Sequence, residues 1–207
     1  MLDLYFRPLA CSLASRIALL EAGIEARYHR VDLERRRLVD GDADYLAVSP
    51  KGQVPALRLD DGSLLTEGAA VLQYIADLRP ESGLAPAPNH PERYRLQEWL
   101  SFVGTEIHKA FLHPMFNSAP DEARTHARGR IDRTLGIVAV HLEARSYLVG
   151  EQFTVADAYL VWALVLVRSL GVELAPSLSA YARRLTQRPS VREALACESA
   201  MLGAGAS

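Results

Sequence analysis

The sequence predicts two parts: a small α/β domain over residues 1–80 and an all-helical domain over residues 91–207, with a linker at 81–90. Three observations lead there. Strand-like and helix-like segments alternate up to about residue 80, as in a layered α/β unit. The stretch RPESGLAPAPNHPER, with four prolines, then breaks the composition as a linker does. Beyond it only helical periodicity remains.

Each element follows from its residues. Leu2 to Phe6 reads as a strand, and RPLACSLASRIALLEAG, from Arg7, turns into a helix that stops at Gly23. ARYHRVDL, 26–33, alternates apolar and polar side chains as a half-buried strand does. The basic run ERRRLVDGDADY follows as a loop or short helix. VPALRLDDGSLLT reads as two short strands joined at Asp61-Gly62. EGAAVLQYIADL is helical, with apolar residues at 71, 72, 75 and 78. The expected order in this half is therefore β-α-β-α-β-β-α. After the linker, Pro91 is well placed as a first helical residue. Helices are expected at about 91–116, 121–145, 154–170, 177–187 and 190–201. In FTVADAYL, Thr154 and Asp157 make a capping-box variant.

Composition excludes several classes. Apolar residues make up 49% and charged residues 23% of the 207 residues, enough for a full core and a polar surface. A net charge of −2, with neither half basic, gives no reason to expect nucleic acid or an anionic membrane as partner. Two cysteines, Cys11 and Cys197, form no CxxC and no disulfide framework, which fits a reducing, cytoplasmic location. MLDLYF has no basic segment of a secretory signal. The longest apolar run, AYLVWALVLV, is too short to span a bilayer. The histidines at 108, 113, 126 and 141 show no metal-ligand spacing, and no metal is expected.

Some residues invite chemistry. Cys11 sits where a strand gives way to a helix, facing unpaired N–H groups and the positive end of the helix dipole. That setting favours thiolate, although a free cysteine is as often a buried space-filler. Cys197, among alanines in the last helix, reads as structural. Glu67 and Gly68 open a helix, where an acidic residue complements the dipole and backbone N–H groups can take an anion. In EWLSFVGTEIHKAF, α-helical spacing puts Trp99, Val103, Ile107, Ala110 and Phe111 on one stripe. The same spacing puts Ser101, Thr105, His108 and Leu112 on another, so Ser101 and His108 are expected two turns apart on one face. The run Arg35-Arg36-Arg37 reads first as a solvated face.

Five motifs in order, with the domain break between the third and fourth, carry a resemblance: CSLAS after the first strand, SPKGQVPAL at 49–57, LTEG at 65–68, EWLSFVGTEIHKAF at 98–111 and FTVADAYL at 153–160. Over essentially its whole length the chain resembles a cytosolic glutathione transferase, most closely the bacterial beta class. The resemblance implies a thioredoxin-like N-terminal domain and a helical-bundle C-terminal domain.

It also implies roles. Cys11 would sit against the sulfur of glutathione and be able to form a mixed disulfide with it. His108 would face Cys11 across the domain cleft and donate toward that sulfur, with Lys109 beside it. The bond before Pro55 would be cis, leaving the Val54 backbone free to pair with the tripeptide as an added strand. Gly68 would offer its N–H to the γ-glutamyl carboxylate and Glu67 its carboxylate to the ligand ammonium. Arg36 stands where the class carries a lysine that reaches the glycyl carboxylate. Ser101 replaces a common asparagine and is shorter. Tyr5, Leu9, Phe111, Met115, Phe116 and Trp162 would form the apolar wall for the second substrate, although plain core packing accounts for each equally well.

The function so implied is transfer of the glutathione thiolate to hydrophobic electrophiles in detoxification, with glutathione as co-substrate and a homodimer as the assembly. A glutathione-dependent disulfide reductase or peroxidase using Cys11 is the second reading. A non-enzymatic binding member of the fold is the third.

Overall fold

A computed structural model describes residues 1–116 and 119–203 of the chain, except for the Phe116 side chain. The chain divides into two compact units. The first is Met1–Ser82 together with the chain from Pro189 on, and the second is Gly83–Arg188. The last helix thus groups with the N-terminal unit rather than with the helices that precede it.

The first unit is built on a five-stranded sheet in the order β3-β2-β1-β4-β5. The strands are β1 (Leu2–Phe6), β2 (Ala26–Asp32), β3 (Arg37–Leu38), β4 (Ala56–Arg58) and β5 (Leu64–Thr66). β1 runs parallel to β2, with Leu2 opposite Ala26. The other pairings are antiparallel, with Leu4 opposite Leu57 and Leu57 opposite Leu65. The parallel pair requires a crossover, which α1 (Ser12–Glu21) provides. α2 (Gly68–Leu78) and α8 (Pro189–Gly203) both pack on α1. Every residue of β1 is buried, as expected for a central strand. The β4–β5 hairpin turns at Gly62, whose φ of 84° only a glycine adopts readily.

One expected element is replaced. Where a loop or short helix was expected after β2, the chain makes a turn and the two-residue strand β3, so the order has one helix fewer than anticipated. Arg36 (φ 57°), Gly41 (φ 86°) and Asp42 (φ 51°) are all left-handed there. Three left-handed residues within seven positions leave no room for a right-handed helix.

The second unit is helical. Its elements are α3 (Pro91–Phe102), a π-helix (Val103–Leu112), α4 (His113–Phe116), α5 (Asp121–Leu142), α6 (Val155–Ser169) and α7 (Pro176–Thr186). Pro91 opens α3 as expected, and the His90 ring caps it by accepting the Glu92 N–H. α6 is buried from Val155 through Leu164 and forms the centre of this unit. At its start Asp157 accepts the Thr154 N–H (2.8 Å) and O–H (2.9 Å), the Leu148 N–H (2.9 Å) and the Tyr181 hydroxyl (2.6 Å). One buried carboxylate thereby joins the α6 start, the preceding loop and α7.

Candidate active site

In the first unit the loop Arg7–Ala10 leads from β1 to Cys11, which stands at the N-cap of α1. The thiol is partly exposed and donates to the Val54 carbonyl, with Sγ 3.1 Å from the oxygen. Val54 is buried and precedes Pro55 through a cis peptide bond. Among the described residues nothing accepts the Val54 N–H. The Val54 carbonyl accepts the Cys11 thiol and, with two lone pairs, retains capacity for a second donor.

Arg36, Glu67 and Gly68, also expected on this ligand, belong to the same unit. Arg36 donates through Nη1 to the Gly52 carbonyl, and its guanidinium is so near that a Cβ on Gly52 would lie 2.5 Å from that nitrogen. Arg35 and Arg37 instead pair with Asp42. Of the three arginines, only Arg36 thus reaches the loop that leads to Val54. Glu67 is the N-cap of α2, with a left-handed φ of 70°. Strained backbone of this kind persists where the surroundings impose it, often at binding sites. The exposed Glu67 carboxylate pairs with Lys51 at 2.6 Å. Gly68 follows as the first helical residue, and Pro55 lies at ordinary contact distance from where its Cβ would be.

Tyr5 is buried, stacked on the His29 ring (4.9 Å between centroids), and belongs to the core cluster that includes Val54 and Tyr45. Leu9 is half-buried in the loop before Cys11, with φ 57°. A cleft of about 470 Å³ in this unit is lined by Met1, Leu19, Gly23 and Tyr28. It lies at the far end of α1 from Cys11, roughly 15 Å along the helix, and includes none of the expected residues.

In the second unit His108 lies on the π-helix. Its Nδ1 is 2.8 Å from the Tyr159 hydroxyl, and its ring meets Trp162 edge-on at 4.9 Å. Burial, with Lys109 and His113 adding like charge, lowers its pKa to about 4, so the ring is neutral near pH 7. That contact with Tyr159 engages Nδ1 and orients the ring; a proton on Nε2 would make that nitrogen the donor. Lys109 and Ser101 are exposed. Phe111 and Trp162 are both deeply buried, Phe111 in the core of this unit. Met115 is half-buried, and the side chain of Phe116 lies outside the described residues.

The π-helix changes one expectation. An i→i+5 turn holds more residues than the 3.6 of an α-helix, so seven residues no longer bring the chain back to one face. Thr105 is exposed whereas Leu112 is buried, although both were expected on one stripe. The shared face of Ser101 and His108 was inferred from that same spacing and loses its basis.

Family models match both units. The glutathione S-transferase N-terminal domain covers residues 10–78 and the glutathione S-transferase C-terminal domain covers residues 121–195. The chain belongs to the glutathione S-transferase family. It is 43% identical over 202 residues to glutathione S-transferase GstA of Escherichia coli O157:H7, covering 95% of this chain and 98% of that one. It is similar to a solved sphingomonad glutathione S-transferase complexed with glutathione, at 44% identity and a TM-score of 0.90 over 95% of this chain and 98% of the other. The bacterial beta-class enzyme of Sphingomonas chungbukensis is similar at 42% identity, also with a TM-score of 0.90 and coverage of 95% and 98%. The fold is the family's: a thioredoxin-like unit with a mixed sheet, then helices.

Three neighbours of the expected residues had not been singled out in the sequence. Lys51 and Tyr159 sit inside quoted motifs, but their pairing with Glu67 and His108 depends on tertiary placement. Glu198 leaves no local signal: its partners Leu9 and Arg16 lie more than 180 residues away.

Proposed function

We propose that this chain conjugates the thiolate of glutathione to hydrophobic electrophiles, as a beta-class transferase. The observation that carries the proposal is the contact between the Cys11 thiol and the Val54 backbone, 3.1 Å apart. A tripeptide that adds to the Val54 backbone as a strand presents its central cysteine sulfur where Cys11 stands. Arg36 takes the glycyl carboxylate from beside Gly52. The Gly68 N–H takes the γ-glutamyl carboxylate at the start of α2, and Glu67 takes the ammonium in exchange for Lys51. His108, neutral and donating through Nε2, and Cys11 stabilise the sulfur as thiolate, with Lys109 adding positive charge. Ser101 contributes a direct or water-bridged contact. The sulfur then attacks an electrophilic carbon, forming a C–S bond as the leaving group departs with its electron pair. Binding supplies orientation and the donors supply activation.

Leu9 and Met115, both half-buried, are the favoured members of the apolar wall. Tyr5, Phe111 and Trp162, all buried, support it from within their cores. A homodimer and a cytoplasmic location belong to the same proposal. Among the described residues no helix is long and apolar enough to cross a membrane, and no three-membered cluster of His, Cys, Asp or Glu is placed to hold a metal.

A second reading rests on the same thiol. Cys11 at a helix N-terminus suits thiol–disulfide exchange through a mixed disulfide with glutathione. Assays with an activated chloro-aromatic and with a small disulfide separate the two. The transferase reading expects turnover of the chloro-aromatic, falling at least 100-fold when Cys11 and His108 are both replaced by alanine. A double variant as active as wild type contradicts the assigned roles. Turnover of the disulfide alone favours the second reading.

A further inference from the structure

α8 carries a carboxylate that the proposed chemistry does not use. Glu198 is fully buried (0% exposed). Its Oε2 accepts the Leu9 N–H at 2.7 Å, and its Oε1 accepts the Arg16 Nε–H at 2.8 Å. Leu9 lies two residues before Cys11, in the loop from β1. Arg16 lies five residues after it, on α1. One side chain therefore grips the chain on both flanks of the thiol.

Each grip has a physical reason to matter. Leu9 holds φ at 57°, a left-handed conformation that a leucine rarely adopts unless its surroundings impose it. The bond to Glu198 fixes the Leu9 N–H in that conformation. Arg16 is itself buried, with its guanidinium 3.8 Å from the Tyr28 ring centroid and 4.6 Å from that of Phe6. Stacking of this kind orients the planar guanidinium, so Oε1 meets a donor that cannot swing away. The two partners together need two acceptor oxygens. Only a carboxylate supplies both at this reach, because a glutamine amide offers one oxygen and one NH2.

We propose that Glu198 is a positioning residue for Cys11, holding the loop before it and the helix after it in the one register that sets the thiol against Val54. The inference rests on the proposed role of Cys11 toward glutathione. It assigns to the last helix a part in the chemistry of the N-terminal unit, without contact with the reacting atoms.

The test is the rate at which oxidised glutathione modifies Cys11, followed by intact mass and located by peptide mapping. In that step the Cys11 thiolate attacks one sulfur of the disulfide. A Cys11–glutathione disulfide forms, and the other glutathione leaves as thiolate. Glu198→Gln is expected to slow the adduct about tenfold. Iodoacetamide, which asks only for access to the thiol, is expected to alkylate Cys11 within threefold of the wild-type rate. Adding Leu9→Gly to Glu198→Gln is expected to recover at least part of the adduct rate, because glycine adopts positive φ without the penalty of a Cβ. A structural role of α8 alone would not be relieved at residue 9. An unchanged adduct rate in Glu198→Gln overturns the proposal. So does a loss that tracks the folded fraction and that Leu9→Gly does not relieve. If wild type forms no adduct at Cys11 while still binding glutathione, the role of Cys11 fails first and the positioning claim falls with it.

Discussion

His108 shows how one residue's surroundings set its chemistry. An exposed histidine is partly charged near pH 7, whereas this one is held neutral by burial and by Lys109 and His113. The Tyr159 hydroxyl at Nδ1 fixes the orientation of the ring, and the proposed chemistry has Nε2 as the donor. The same burial has a cost in acid. Its pKa is about 4 when folded, against 6.5 as the ordinary value. Between those values the unfolded chain binds a proton that the folded chain does not, so stability falls as pH falls through that window. The size is about 3 kcal/mol. His108→Phe is expected to lose this contribution, and its melting temperature should decline less than that of wild type between pH 6.5 and 4. Parallel declines in the two proteins would place the histidine in water and remove the basis for its neutral state. The residue type was legible in the sequence, since a histidine stood in a quoted motif. Its partner Tyr159, 51 positions away, was not.

At the scale of elements, the short-range chemistry of the chain accounts for what could be read. Leu2 to Phe6 is a strand, Pro91 starts a helix, and Gly62 turns the hairpin, each as its own residues dictate. The capping box of Thr154 and Asp157 was equally plain, because its residues are three apart. What lay beyond reach was its reinforcement by Leu148 and Tyr181. Those extra bonds make the element sensitive to one change. Asp157→Ala leaves the Leu148 and Thr154 N–H groups and the Tyr181 hydroxyl without their acceptor in a buried place. The expected loss is about 3 kcal/mol. In a chain of this size that lowers the melting temperature by roughly 6–12 °C. A calorimetric scan within 2 °C of wild type would mean that the cap is replaceable. The π-helix and β3 were missed for the same reason. Both follow from how the backbone is constrained by its neighbours, the first against α-helical periodicity and the second through left-handed Arg36, Gly41 and Asp42.

For the whole molecule, the division into an α/β part and a helical part was legible because proline-rich composition separates two kinds of periodicity. The placement of α8 with the first unit was not, since nothing local in its sequence distinguishes it from the helices before it. The candidate site behaves likewise. Cys11, Val54, Glu67 and His108 stand in recognisable motifs, whereas the groups that hold them, Glu198, Lys51 and Tyr159, come from folding. At the centre of the proposed chemistry, the Cys11–Val54 corner binds glutathione with its sulfur at Cys11. Calorimetry of glutathione with wild type and Cys11→Ala, paired with intact mass after mild oxidation, tests it most directly. Both proteins are expected to bind, with one glutathione adduct, located at Cys11, in wild type only. Absence of binding to wild type would contradict it.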